Sequence, residues 1–175
     1  RTARSTDRNR RIGVIGTEGT IGSGVYQDML GVDATLEVFA QACPRFVEFV
    51  EAGVTDSPEV LRVAEEYLAP LRHAGVDTLV LGCTHYPFLE GAISYVMGEG
   101  VSLVSSDTET AKDVYRQLVS RGLLAGPDAT ALYTYEATGD SAEDFLRLAD
   151  RLMGRGVSAV RLVQTGAIDL PKGTP

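Results

Sequence analysis

A thiol, a hydroxyl and an imidazole follow one another directly after a short apolar run in the middle of the chain. The run is Thr78–Leu81, and Gly82, Cys83, Thr84 and His85 come after it. A short run without polar alternation is typical of a strand that is buried on both faces. Because ligands of open α/β sheets bind beyond the carboxyl ends of the strands, this position predicts a functional site.

Cys83 and His85 are the residues of this segment that could carry proton transfer or nucleophilic chemistry. An imidazole two positions from a cysteine can hold part of the sulfur as thiolate, which is the reactive form. A cysteine protease would need a base from elsewhere in the fold, and His73 lies at the polar end of a predicted helix, where we expect it to be exposed. From the residues alone, a functional and a structural role for Cys83 are both open.

The second cysteine, Cys43, is predicted to be a buried structural thiol, which is the usual state of a free cysteine. Cys43 and Cys83 belong to no C-x-x-C pair, and although their spacing leaves a disulfide open, the expected cytosolic setting favours free thiols. A zinc site made of Cys43, Cys83, His73 and His85 would lack any standard ligand spacing. No metal is therefore predicted.

Two other segments place polar groups where a ligand could bind. Residues 16–20 read Gly-Thr-Glu-Gly-Thr at a predicted helix start, where N–H groups bind phosphate or carboxylate, but they match neither the P-loop nor the G-x-G-x-x-G pattern. Thr17 and Thr20 would line this turn, and simple helix capping is the alternative. Glu51 ends a predicted helix, where a carboxylate favours either a nearby cation or full solvation.

Composition excludes several classes of function. The chain has 175 residues, with 24 acidic and 16 basic ones and a net charge of −8, which argues against nucleic acid as a partner. It has no apolar run of about 18 residues and no signal-like N-terminal stretch, so we expect no membrane insertion and a cytoplasmic location. Residues 1–11 are predicted to be a basic linker, and a first residue other than Met suggests a start inside a longer chain.

The pattern of apolar residues predicts strands that alternate with helices, which favours an α/β fold with a mostly parallel sheet and helices on both faces. A tail over residues 164–175, rich in Gly and Pro, is predicted to be disordered. The predicted strands cover residues 11–17, 36–40, 78–81, 101–104, 131–136 and 157–163. The predicted helices cover residues 20–30, 46–51, 58–74, 89–97, 107–119 and 141–153.

Three ordered segments together resemble the glutamate racemases of the Asp/Glu racemase superfamily. They are Gly16–Tyr26, Ala42–Glu51 and Leu81–Pro87, and Glu136–Asp140 is a weaker match. The resemblance implies a cofactor-independent isomerase that interconverts L- and D-glutamate for peptidoglycan synthesis. It also implies two α/β lobes that face each other across a cleft, with one catalytic cysteine on each.

The resemblance further assigns roles to residues of this chain. Cys83 would be the acid/base thiol of one lobe, His85 its proton-handling neighbour, and Glu51 the carboxylate that orients the imidazole. Glutamate would be held by three threonines: Thr84, Thr17 and Thr20. No metal or cofactor is implied, and a homodimer is a further expectation.

One part of the family pattern is missing from this sequence, namely the opening segment with the other catalytic cysteine. The resemblance therefore implies a complete lobe over residues 12–104 and, over residues 105–163, the C-terminal part of the other, incomplete lobe. We expect this chain alone to be inactive, because racemisation needs a proton carrier on each face of the substrate. Aspartate racemase and a non-catalytic lobe that binds a dicarboxylate are the alternatives.

Overall fold

The computed structural model describes residues 9–153 and 156–164. Most of the predicted linker and of the predicted tail therefore lies outside the described residues. The chain divides into two compact units, Arg1–Gly126 and Pro127–Pro175. None of the helices in the described part has the length and apolarity needed to span a bilayer.

The first unit is built on a four-stranded sheet in which all neighbouring strands are parallel. The strands are β1 (Arg11–Gly16), β2 (Glu37–Ala42), β3 (Thr78–Leu81) and β4 (Ser102–Ser105), in the order β2-β1-β3-β4. This confirms the predicted α/β fold. Because the strand order reverses between β1 and β3, their carboxyl ends form the crevice where such sheets bind ligands.

Helices cover both faces of this sheet, as the sequence predicts. In the first unit they are α1 (Glu18–Gly22), α2 (Val25–Gly31), α3 (Arg45–Glu51), α4 (Pro58–His73), α5 (Glu90–Met97) and α6 (Ser106–Ser120), with a 3-10 turn at Tyr86–Leu89. Leu30 of α2 packs on one face with Ile12, Val14 and Val80. On the other face, Leu71 of α4 lies against Gly13.

The long helix α4 forms where the sequence signals are strongest. The Ser57 hydroxyl accepts a hydrogen bond from the Val60 N–H, and Pro58 occupies the first helical position, where a missing N–H costs nothing. Five of its apolar side chains are buried: Val60, Val63, Ala64, Leu68 and Leu71. The predicted continuous helix over residues 20–30 is instead two helices, because Gly24 takes a left-handed conformation with φ of +71°.

The second unit contains little regular structure within its described residues. The strands predicted at 131–136 and 157–163 are reduced to β5 (Glu136–Ala137) and β6 (Arg161–Leu162), which pair only with each other. Helix α7 (Ala142–Met153) begins after Ser141, whose hydroxyl accepts from the Asp144 N–H at 3.1 Å. The predicted lobe boundary at residue 104 stays a prediction, and the division of the chain into compact units falls after Gly126.

Candidate active site

The carboxyl ends of β1 and β3 lie side by side and deliver the motif residues to one edge of the sheet. Ile15 pairs with Leu81, and the Gly82 N–H donates to the Ile15 carbonyl at 2.8 Å. A Cβ atom at position 82 would lie only 2.8 Å from that carbonyl oxygen and 3.2 Å from the Tyr26 ring. Glycine is therefore required for the chain to pass this close to β1 before it reaches Cys83.

Cys83, His85 and Glu51 form a chain of acid/base groups at this edge. The Cys83 Sγ lies 3.8 Å from the His85 Nδ1, and the His85 Nε2 lies 3.5 Å from a Glu51 carboxylate oxygen. The His85 side chain is 30% exposed, so solvent and small molecules reach the pair. An imidazole held between a thiol and a carboxylate can exchange a proton with the sulfur while the carboxylate offsets its charge.

Cys43 lies in a different environment from Cys83, which is only half-buried. Its side chain is fully buried, and burial raises the pKa of the thiol to about 12. Its sulfur lies 3.7 Å from the Gln41 carbonyl oxygen, to which it can donate only weakly. This confirms the prediction of a buried structural thiol, and it makes Cys43 unsuitable as an acid/base group near neutral pH.

Thr17 and Thr20 lie at the end of β1 and are engaged with each other. The Thr17 hydroxyl accepts from the Thr20 N–H at 3.2 Å, and the two hydroxyl oxygens are 3.0 Å apart. Thr17 is thus the N-terminal cap of α1, which is the alternative that the sequence left open. Both residues are half-buried and follow β1 at the sheet edge where Cys83 follows β3.

A cleft of about 580 Å³ opens beside Cys83 and Thr84. Sequence reasoning missed the other side chains that line it, which are Tyr26, Ser106, Asp107, Thr110 and Ala111. Four of these belong to α6, which follows β4 directly, so only the parallel order of the sheet brings them here. The Ser105 hydroxyl donates to Asp107 and lowers the pKa of that carboxyl, so the cleft carries a negative charge at neutral pH.

The other residues considered from the sequence lie elsewhere. His73 is exposed at the end of α4, with its Nδ1 2.8 Å from the Ala69 carbonyl oxygen. In the described part of the chain, no three His, Cys, Asp or Glu side chains come together as a metal site.

Comparison with known proteins places the chain in a family. The family model described as Asp/Glu/hydantoin racemase matches residues 1–114, which is more than half of the chain. The chain belongs to this family. Members of the Asp/Glu/hydantoin racemase family are enzymes, so the cleft beside Cys83 is a candidate active site.

Relatives within the family carry a more specific name. A glutamate racemase of Leifsonia xyli subsp. xyli is 68% identical over 148 residues, which cover 85% of this chain and 54% of that protein. The solved glutamate racemase of Thermus thermophilus, in complex with β-chloro-D-alanine, is 41% identical with a TM-score of 0.77. The match covers 92% of this chain and 59% of the Thermus thermophilus chain. The solved glutamate racemase of Francisella tularensis subsp. tularensis, in complex with D-glutamate, is 26% identical with a TM-score of 0.81. This match covers 93% of this chain and 61% of the Francisella tularensis chain.

The chain therefore spans only 54% to 61% of the length of these family members. The match supports the family's fold for the part that is present. The roles of Cys83, His85 and Glu51 stay predictions.

Proposed function

We propose that this chain is the greater part of a glutamate racemase, namely the lobe that bears Cys83 together with the C-terminal part of the other lobe, and that Cys83 exchanges a proton at Cα of glutamate. The observation that carries the proposal is the chain of groups from Cys83 through His85 to Glu51 at the crevice between β1 and β3. The names of the relatives support glutamate as the substrate. D-glutamate made in this way would supply peptidoglycan synthesis.

The proposed reaction needs one acid/base group on each side of the substrate. In one direction, the Cys83 thiolate takes the Cα proton and becomes a thiol, and the electron pair left on Cα is delocalised into the adjacent carboxylate. A second acid then donates a proton from the opposite face, which inverts the centre. This leaves Cys83 as a thiol and the second group without its proton. Exchange with solvent restores both groups: His85 takes the proton from the Cys83 thiol while Glu51 holds the imidazole in place, and water returns a proton to the second group.

Substrate binding is assigned to the polar groups at the sheet edge. The Thr84 hydroxyl and N–H, together with the hydroxyls of Thr17 and Thr20, are suited to the carboxylates of glutamate. The ionised Asp107 in the same cleft is suited to the α-ammonium group. Binding of this kind needs no metal or cofactor, and a homodimer stays a prediction.

The second proton carrier does not come from the other cysteine of this chain. Cys43 is fully buried, and burial raises the pKa of its thiol to about 12. We therefore expect residues 1–175 to serve one face of the substrate and not to racemise glutamate by themselves. Interconversion of the two enantiomers by the 175-residue chain at an ordinary enzymatic rate would contradict this expectation.

The test is solvent-deuterium exchange at Cα in the complete gene product, followed by NMR from each enantiomer separately. Cys83→Ser should reduce net racemisation by about 100-fold or more, which is the usual contribution of a positioned acid/base group. It should also abolish the exchange that starts from the enantiomer whose Cα proton Cys83 removes. Cys43→Ser is the matched control and should retain both exchanges.

Near-normal rates in both directions for Cys83→Ser would remove Cys83 from its role. Glutamate binding by calorimetry without any exchange in the wild-type protein would favour the non-catalytic dicarboxylate-binding lobe. Faster turnover of aspartate than of glutamate would favour an aspartate racemase.

A further inference from the structure

Tyr86 connects the catalytic segment to the helix that carries Glu51. The side chain follows His85 directly and is fully buried. Its hydroxyl donates to the Cys43 carbonyl at 2.9 Å, and its ring meets the Phe46 ring edge-on, with centroids 5.4 Å apart and planes at 86°. Both contacts are made at the start of α3, where the chain leaves β2.

These contacts connect His85 to Glu51 by a second route, which runs through Tyr86 and α3. Helix α3 begins next to Tyr86 and ends at Glu51, whose carboxylate lies 3.5 Å from the His85 Nε2. A helix of seven residues is a rigid rod about 10 Å long. A shift of Tyr86 relative to the start of α3 must therefore shift His85 relative to Glu51.

The hydroxyl of Tyr86 is not needed to satisfy the carbonyl that it contacts. The Cys43 carbonyl also accepts from the Phe46 N–H at 3.2 Å, so it would keep a partner if the tyrosine hydroxyl were removed. Phenylalanine would fill nearly the same volume in this core. What the hydroxyl adds is a directional contact that fixes the ring, and with it the neighbouring His85, against the start of α3.

We propose that Tyr86 is a positioning residue that holds the His85 imidazole between the Cys83 thiol and the Glu51 carboxylate. The proposal rests on the proposed function for its catalytic meaning, since it assigns Tyr86 to the same site. It also gives Cys43 a part in the site through its backbone carbonyl and not through its thiol.

The test measures the reactivity of Cys83 in the 175-residue chain, which requires neither substrate nor racemisation. The chain is treated with iodoacetamide at pH 7, and the alkylation of Cys83 is followed by mass spectrometry, with the buried Cys43 as an internal reference. Tyr86→Phe should slow alkylation by about threefold to tenfold, as expected for coupled neighbours. The matched control is Tyr67→Phe, which removes a hydroxyl from a ring that also packs edge-on against Phe46, and it should leave the rate within about 1.5-fold.

A double-mutant cycle with His85→Asn separates positioning from general loosening of the core. If Tyr86 acts through His85, Tyr86→Phe should have no further effect in the His85→Asn background. An unchanged or faster rate in Tyr86→Phe, or an equal slowing in both backgrounds, would overturn the proposal. Should Tyr86→Phe unfold the chain, Phe46→Leu removes the ring contact instead and is judged by the same cycle.

The two proposals can fail separately. If the complete gene product did not racemise glutamate, but Tyr86→Phe slowed alkylation of Cys83 only when His85 was present, the positioning role of Tyr86 would still stand. If Cys83→Ser reduced racemisation as expected, but Tyr86→Phe changed the alkylation rate equally with and without His85, only the role of Tyr86 would be removed.

Discussion

At the scale of single residues, the two cysteines show how environment decides the use of the same chemical group. Cys43 is fully buried, so desolvation favours the neutral thiol and raises its pKa. Cys83 is half-buried at a sheet edge with an imidazole 3.8 Å away. The imidazole beside Cys83 and the Glu51 carboxylate beyond it make Cys83, and not Cys43, the candidate for proton transfer.

The burial of Cys43 predicts a loss of stability at alkaline pH. Its folded-state pKa of about 12 lies above the ordinary value of 9.0, so the folded state binds the proton more tightly than the unfolded state. This stabilisation is complete below pH 9 and is lost as the pH rises toward 12. The unfolding free energy that is lost between pH 8 and pH 10.5 is about 2 kcal/mol.

Urea unfolding at pH 8 and at pH 10.5 checks this prediction in the wild type and in Cys43→Ala. The variant should lose about 2 kcal/mol less than the wild type over this interval. Burial also raises the pKa of Tyr86, so part of the alkaline loss should remain in the variant. Equal losses in the two proteins would show that the thiol of Cys43 is not desolvated in the folded state.

At the scale of elements, the close approach of β1 and β3 positions the catalytic segment. The Gly82 N–H bonds to the Ile15 carbonyl, and there is no room for a Cβ atom between the two strands at this point. The turn that follows therefore begins at a defined position. Sequence reasoning found this strand and its terminal glycine, but the contact with Ile15 depends on the neighbouring strand.

Gly82→Ala should destabilise the fold and disturb the site together. The added methyl group would meet a backbone oxygen at 2.8 Å, and overpacking of this kind costs about 1–3 kcal/mol of unfolding free energy. Urea unfolding measures the loss, and alkylation of Cys83 measures the displacement of the segment.

Gly91→Ala is the matched control for this substitution. Gly91 lies in α5 with no atom within 4 Å of the added Cβ, so the change should stabilise the helix by up to about 1 kcal/mol. If Gly82→Ala and Gly91→Ala had the same unfolding free energy, the close approach of β1 and β3 would not require glycine at position 82.

At the scale of the whole molecule, the hydrophobic core is distributed very unequally between the two compact units. Among the described residues, all buried apolar side chains except Ala149 and Val157 belong to the first unit. Helix α6 has no buried side chain, and α7 has only Ala149. In the described residues, the helices after residue 105 therefore contribute little to the core.

We therefore predict that residues 1–126 fold without the second unit. Their thermal unfolding, followed by circular dichroism, should remain cooperative with a Tm within about 5 °C of that of the full chain, the shift that ~1 kcal/mol produces in a domain of this size. Residues 127–175 alone should show no cooperative transition, because the core of their described part, Ala149 and Val157, is too small to offset the conformational entropy. A first unit that unfolds without cooperativity would contradict the prediction.

The sequence by itself determined the family, the buried strand at Thr78–Leu81, the helix at Pro58–His73 and the identity of the motif residues. These features depend on apolar runs, capping residues and short motifs, which act over a few neighbouring residues. The split of one predicted helix at Gly24 was missed because a glycine inside an apolar pattern does not reveal its own backbone angle.

Only the tertiary structure decided which groups meet. The order β2-β1-β3-β4 brings the start of α6 to the Cys83 cleft, and the packing of Phe46 against Tyr86 sets α3 so that Glu51 faces His85. Such contacts arise from strand order and side-chain packing between distant segments, and local sequence patterns do not encode them.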